Sequence, residues 1–181
     1  SNAVVSNTVQ LFTGIPYTFT TGQRISIKGY ITGDPGAWTT GGALGTARWQ
    51  HAGAGTATSA LVSGGTDSSG TYLSSVQSYD GTSWTNGTAL TNAVFTHGSC
   101  GASKTAVLIC GGQNSSFTAQ TAALTYNGTT WSSTGSLTAT RYGHVAVGTT
   151  SSALALGGYT TNYASSIESF NGSTWSTGTA M

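Results

Sequence analysis

Short apolar runs punctuate the chain, and none carries a helical period. Ala60-Leu61-Val62-Ser63, Ala106-Val107-Leu108-Ile109-Cys110 and Ala153-Leu154-Ala155-Leu156 each end on two glycines: Gly64-Gly65, Gly111-Gly112 and Gly157-Gly158. Runs of roughly four to eight residues bounded by turn signals predict strands. They are apolar at successive positions, so both faces of their sheets are expected to be covered. An aromatic and a histidine precede each run: Arg48-Trp49-Gln50-His51, Val94-Phe95-Thr96-His97 and Arg141-Tyr142-Gly143-His144. A polar loop follows, then a strand ending in Tyr79, Tyr126 or Phe170. Asp80-Gly81, Asn127-Gly128 and Asn171-Gly172 come next and predict two-residue type I′ hairpins. The closing strands start at Trp84, Trp131 and Trp175.

Each unit therefore offers four short strands. With a worn copy ending at Trp38, the tryptophans lie 46, 47 and 44 residues apart. Three repeats are read at 46–90, 91–137 and 138–181. Residues 4–44 form either a degenerate first repeat or a separate β-segment. In it Arg24-Ile25-Ser26-Ile27-Lys28 alternates as a half-buried strand does, and Asp34-Pro35-Gly36 marks a turn. Ser1-Asn2-Ala3 reads as the remnant of an expression tag and is set aside. Small sheets covered on both faces suit blades stacked about an axis, the arrangement of a β-propeller. The glycine pairs predict either a turn at positive φ or a bare strand end against which the next blade's Trp or Tyr lies. Trp84, Trp131 and Trp175 are expected to be buried, each costing about 3–5 kcal/mol on truncation to alanine.

Charge changes the functional picture more than the fold. Charged residues make up 5% of the chain, and the formal net charge is +1. A protein without a basic stripe has little with which to neutralise phosphates, so nucleic acid is not an expected partner. No apolar run reaches the ~18 residues that a membrane-spanning helix needs. With 10% aromatic residues, evenly spaced, the chain is expected to fold. Cys100 and Cys110 flank one predicted hairpin. They bridge if they face each other across it, and the reading preferred here is two buried thiols.

The order Arg-x-x-His, apolar strand, Gly-Gly, Tyr-Asp, Trp resembles the kelch repeat, three times in register over 46–181. Val94, in place of the first-strand arginine, departs from it. The third repeat, with Arg141-Tyr142-Gly143-His144, the run closed by Gly157-Gly158-Tyr159, and Phe170-Asn171-Gly172-Ser173-Thr174-Trp175, also resembles kelch-like repeats in predicted virion or tail proteins of marine phages. The resemblance implies an all-β, kelch-type β-propeller of three clear blades plus a degenerate N-terminal blade or segment. It implies structural roles for Trp38, Trp84, Trp131, Trp175 and the paired glycines. It also implies that arginines at positions 48 and 141 line the mouth of the central channel, with Trp49 and Tyr142 beside them. The alternative is that each arginine spans adjacent blades to bond backbone carbonyls.

His51, His97 and His144 occupy one repeat position. Three histidines can hold zinc, but the resemblance places them on the inner strand as packing and hydrogen-bonding residues, and no metal is expected. The acids are Asp34, Asp67, Asp80 and Glu168. Neither a carboxylate pair suited to acid–base work nor a Ser-His-Asp order emerges from them. Asp80-Gly81-Thr82-Ser83-Trp84 is one residue short of a sialidase Asp-box. The Asn-x-Ser/Thr sequences at Asn86, Asn114, Asn127 and Asn171 fit glycosylation acceptors, though hairpin turns explain Asn127 and Asn171. The expectation is a module without catalysis or cofactor, recognising a protein or glycan surface in an extracellular or virion setting. A homo-oligomer completing the propeller remains open, and the rival reading is a propeller lectin. Exposed rings at Trp49 and Tyr142 favour the lectin, and buried rings a structural role.

Overall fold

The structure is a computed structural model and describes residues 41–179. Trp38, the turn at Asp34 and the strands expected before them lie outside these residues. No helix occurs among the described residues, so none is long and apolar enough to cross a membrane.

Three four-stranded antiparallel sheets follow one another along the chain. The first consists of β2 (Ala52–Thr56), β3 (Ser59–Ser63), β5 (Val76–Tyr79) and β6 (Trp84–Asn86). A two-stranded ribbon of β1 (Arg48–Trp49) and β4 (Thr66–Asp67) accompanies it. The second sheet is β7 (Gly98–Ser103), β8 (Ala106–Cys110), β9 (Ala123–Tyr126) and β10 (Trp131–Ser133). The third is β11 (Val145–Gly148), β12 (Ala153–Leu156), β13 (Ile167–Phe170) and β14 (Trp175–Thr177). Each is an up-and-down meander, strand pairing with strand in chain order.

The apolar runs are β3, β8 and β12, second in each meander, and they explain how the sheets stack. Leu61 of the first sheet, with Val76 and Leu90, packs against Val107, Ile109 and Tyr126 of the second. The opposite face of the second sheet, carrying Cys100, Leu108 and Cys110, packs against Ala146, Ala153, Ala155, Phe170 and Trp175 of the third. First strands also adjoin, β2 beside β7 and β7 beside β11. Both faces of β8 are thus buried, as its continuous apolar run predicts. The third repeat departs from that expectation. Val145, Val147 and Leu154 share one face by register and are 58%, 43% and 39% exposed. That face corresponds to the one that Leu61 and Leu108 bury in the preceding sheets.

The recurring aromatic-Asx-Gly-x-x-Trp stretch proves to be the outermost hairpin, though its turn differs from the type I′ expectation. Tyr79 pairs with Trp84, Tyr126 with Trp131 and Phe170 with Trp175, so each loop has four residues. Among the asparagines, aspartates and glycines of these loops only the glycines have positive φ. The Asx side chain makes the turn. Asp80 Oδ1 accepts the N–H groups of Thr82 and Ser83 at 2.9 and 2.8 Å, and Asn127 and Asn171 do the same in their loops. An Asx side chain that bonds the backbone two residues on mimics a backbone turn. Each tryptophan then lies against its cross-strand aromatic, ring centroids 4.7–5.0 Å apart. Trp175 is buried, but Trp84 and Trp131 are only half-buried. Cys100 pairs across its hairpin with Leu108, and Cys110 with Gly98, so the two thiols are not opposite; both are free and buried. Burial raises them to about 11 and about 12.

Candidate functional site

The Ar-x-His segments and the loops after the glycine pairs meet at one edge of the stack. Trp49 pairs with Thr66 in the β1–β4 ribbon, and single bridges join Phe95 to Gln113 and Tyr142 to Tyr159. The residue between the aromatic and the histidine is left-handed every time: Gln50 has φ 55°, Thr96 54° and Gly143 61°. For a β-branched residue such as Thr96 this is a strained conformation. It aims the backbone along the stack. The Thr96 N–H donates to Gln50 O at 2.9 Å, and the Gly143 N–H donates to Thr96 O at 2.8 Å.

The glycine pairs are turns at positive φ, from 61° to 91° in all six residues. Of the two readings open from the sequence, this is the one observed. What lies against the second glycine of each pair is not the next blade's Trp or Tyr but its own repeat's Ar-x-His segment, whereas Gly64 and Gly111 abut the next repeat's, at Val94 O and His97 and at Arg141 O and His144. A Cβ on Gly65, Gly112 or Gly158 would come within 2.6–2.7 Å of the Trp49 carbonyl oxygen or the β-carbon of His97 or His144. The second glycine also bonds to the next repeat, Gly65 N–H to Val94 O and Gly112 N–H to Arg141 O, both at 2.8 Å.

The histidines couple neighbouring sheets. His97 Nε2 lies 2.8 Å from Ser63 Oγ, and His144 Nε2 lies 3.4 Å from Cys110 Sγ. Ser63 and Cys110 both stand just before a glycine pair. Both imidazoles are buried, which holds them neutral. Burial is the main cause of a fall to about 3 for His97, helped by the neighbouring His144 and His51. For His144 burial again leads, followed by the Arg141 charge, and the value falls to about 4. His51 is exposed. No three His, Cys, Asp or Glu side chains converge among the described residues in the manner of a metal site.

The two arginines do equivalent work, and not across blades. Arg48 Nη1 donates to Gly64 O and Ser75 O, both at 3.0 Å, and Nη2 to Ser75 Oγ at 3.1 Å. Arg141 Nη1 donates to Gly157 O and Ser166 O at 3.1 and 3.2 Å, and Nη2 to Ser166 Oγ at 3.3 Å. Every partner belongs to the arginine's own repeat. Arg141 is 1% exposed and also meets Glu168 Oε1 at 2.7 Å. Glu168 Oε2 in turn accepts the Thr138 N–H at 2.6 Å. Gln77 stands where Glu168 stands two sheets later, so Arg48 is held without a carboxylate. The sequence singles out Glu168 only as one of four acids; aligning the repeats sets it in register with Gln77 and Leu124, and its contact with Arg141 shows only in the structure.

The aromatics at this edge are only partly those expected. Trp49 is 58% exposed, but Tyr142 is half-buried and stacks on Tyr159 at 5.2 Å. Tyr163, 94% exposed, meets Tyr159 edge-on. Tyr72 stacks on buried Phe95 at 4.7 Å, and Phe117, 64% exposed, stands edge-on to both. Tyr72, Phe117 and Tyr163 stand in polar loops that vary in length, where the repeat gives no signal for them, and Tyr159 figures in the sequence only as the residue after its glycine pair. Asp67 organises the first of these loops. Its Oδ1 accepts from the Ser69 N–H, the Ser69 hydroxyl and the Thr71 N–H, which holds its carboxyl below the usual range. A scan against protein-family models and a search of curated proteins found no match to the chain.

Proposed function

We propose that the chain is a non-catalytic module of the kelch-type β-propeller kind, serving recognition and assembly at an extracellular or virion surface. The observation that carries this reading is the aromatic edge. Trp49, Phe117 and Tyr163 expose large rings on loops rich in Ser, Thr and Asn, with Arg48 and Asp67 the charges beside Trp49. Rings of this kind supply contact area at little conformational cost. The acids support the absence of catalysis: Asp67 and Asp80 are engaged in turns, and Glu168 is held by Arg141 and the Thr138 N–H.

The kelch reading draws support from the shared places of Arg48 and Arg141 in the first and third repeats, of His97 and His144 between successive sheets, and of the glycine pairs. It gives the exposed face of the third sheet a purpose. Val145, Val147 and Leu154 stand where Leu61 and Leu108 receive the following sheet. A further kelch-type sheet seats there, contributed by this chain or by a second copy. The lectin reading is favoured by the exposure of Trp49 and Tyr163, since an aromatic face can stack on a sugar ring.

The test compares the wild type with Trp49→Ala/Phe117→Ala/Tyr163→Ala on immobilised saccharides and on intact host-cell surfaces. Retention that the triple variant loses at an unchanged melting temperature is the expected result. Loss confined to defined saccharides selects the lectin. A triple variant that binds as the wild type does removes the aromatic edge from the account.

A further inference from the structure

The second repeat differs from its neighbours at every member of the arginine network. Val94 replaces Arg48 and Arg141, Ala122 replaces Ser75 and Ser166, and Leu124 replaces Gln77 and Glu168. The backbone is nonetheless the same. Gly111 N–H donates to Ala122 O at 2.9 Å, as Gly64 does to Ser75 O and Gly157 to Ser166 O at 3.1 Å. Gly111 O and Ala122 O are thus the counterparts of the two carbonyls that accept Nη1 in each neighbouring repeat. No side chain among the described residues donates to either. A cavity of about 590 Å³ occupies this place, and Val94, Gly111, Ala122 and Leu124 all line it. Leu90 and Ile109 add apolar wall, and exposed Asn92 and Ser115 stand at its polar side. Ligand pockets commonly have volumes of about 300–1,000 Å³.

We propose that this cavity takes the arginine side chain of a polypeptide partner. The guanidinium donates to Gly111 O and Ala122 O, as Arg48 and Arg141 donate in their own repeats. The methylenes lie against Val94, Ile109 and Leu124. No carboxylate is needed, because Arg48 is held in the first repeat by Gly64 O, Ser75 O and the Ser75 hydroxyl. The planar guanidinium fork matches two fixed acceptors better than an ammonium does. The argument for this site does not rest on the aromatic edge, although Asn114 and Ser115 of its lining belong to the loop that carries Phe117.

The test titrates isotope-labelled protein with Nα-acetyl-arginine N-methylamide and with the citrulline analogue, which keeps the shape and loses the charge. Saturable shifts should localise on the amides of Val94, Gly111, Gly112 and Ala123, with about tenfold weaker binding for citrulline, since hydrogen bonds to charged groups are the stronger. Val94→Arg fills the cavity from within and should abolish the response. No saturable shift at these amides, an equal response to citrulline, or a response that survives in folded Val94→Arg would each overturn the proposal. If Val94→Arg does not fold, the wild-type shifts and the citrulline comparison decide alone.

Discussion

Replacing Glu168 with leucine, the residue the second repeat carries at position 124, isolates a cation in the interior. Arg141 and Glu168 are each 1% exposed, and their atoms meet at 2.7 Å. Removing one partner of a buried ion pair costs about 3–5 kcal/mol, because the other charge keeps its desolvation penalty. The Thr138 N–H loses its acceptor as well. In a chain of this length each kcal/mol moves the melting temperature about 2–4 °C, so the fall should be roughly 6–20 °C. Thermal melts followed by circular dichroism read it. The control is Arg141→Val with Glu168→Leu, which reproduces the Val94 and Leu124 pair of the second repeat and removes both charges. It should be more stable than either single variant, since buried pairs exchanged for apolar residues are often neutral. Glu168→Leu within about 1 kcal/mol of the wild type, the range of an exposed pair, would refute the reasoning. So would a double variant no more stable than its singles.

The buried histidines make stability depend on pH. An unfolded histidine titrates near its model value of 6.5, whereas His97 and His144 titrate at about 3 and about 4 when folded. Below 6.5 the unfolded chain therefore binds more protons. Stability is complete above that pH and falls as pH drops towards 4, by up to about 2.7 kcal/mol per pH unit for the two together. A melting temperature that stays flat over this window would contradict the burial of both rings. Trp175→Ala should cost about 3–5 kcal/mol, and Trp84→Ala, at a half-buried ring, roughly half of that; equal denaturation midpoints would be the wrong outcome. Thr96→Gly removes a β-branched residue from the left-handed region and should raise stability by about 0.5–1 kcal/mol in urea titrations. A loss would show that its side chain is needed.

Much of the fold was legible because the pattern repeats. The glycine pairs, the apolar runs of β3, β8 and β12 and the Trp hairpins fall in register, so each sheet could be read from the others. The four-residue turns were not legible. Asn-Gly suits a type I′ turn on local propensity, but an Asx oxygen that bonds two N–H groups ahead competes with it and wins. The burial of the tryptophans was overestimated for the same kind of reason. The hairpin lays each Trp against its own cross-strand aromatic; Trp131 packs only at the margin of a core between sheets, and Trp175 alone of the three is a buried member of one. For the candidate site, Trp49 was identified from its place in the repeat. For the arginines, bonds to backbone carbonyls are open from the sequence, but the carbonyls belong to their own repeat and not to an adjacent one, which no single-residue reading reveals. Tyr163 and Phe117 sit in loops where spacing drifts, so periodicity could not find them. At the cavity the sequence shows only that Val94 departs from the pattern; that Ala122 and Leu124 depart with it emerges from the strand register.

The account's central claim is that the stacking of one sheet on the next continues past the third. Light scattering and thermal melts on the wild type and on Val147→Asp/Leu154→Asp test it most directly. If a further sheet covers that face, two buried aspartates should lower the melting temperature by several degrees or reduce the solution mass. A wild-type mass near 18 kDa assigns the covering sheet to the same chain, and a multiple of it assigns the sheet to a second copy. A variant with unchanged mass and melting temperature would show that the face meets only water, and would contradict the propeller reading.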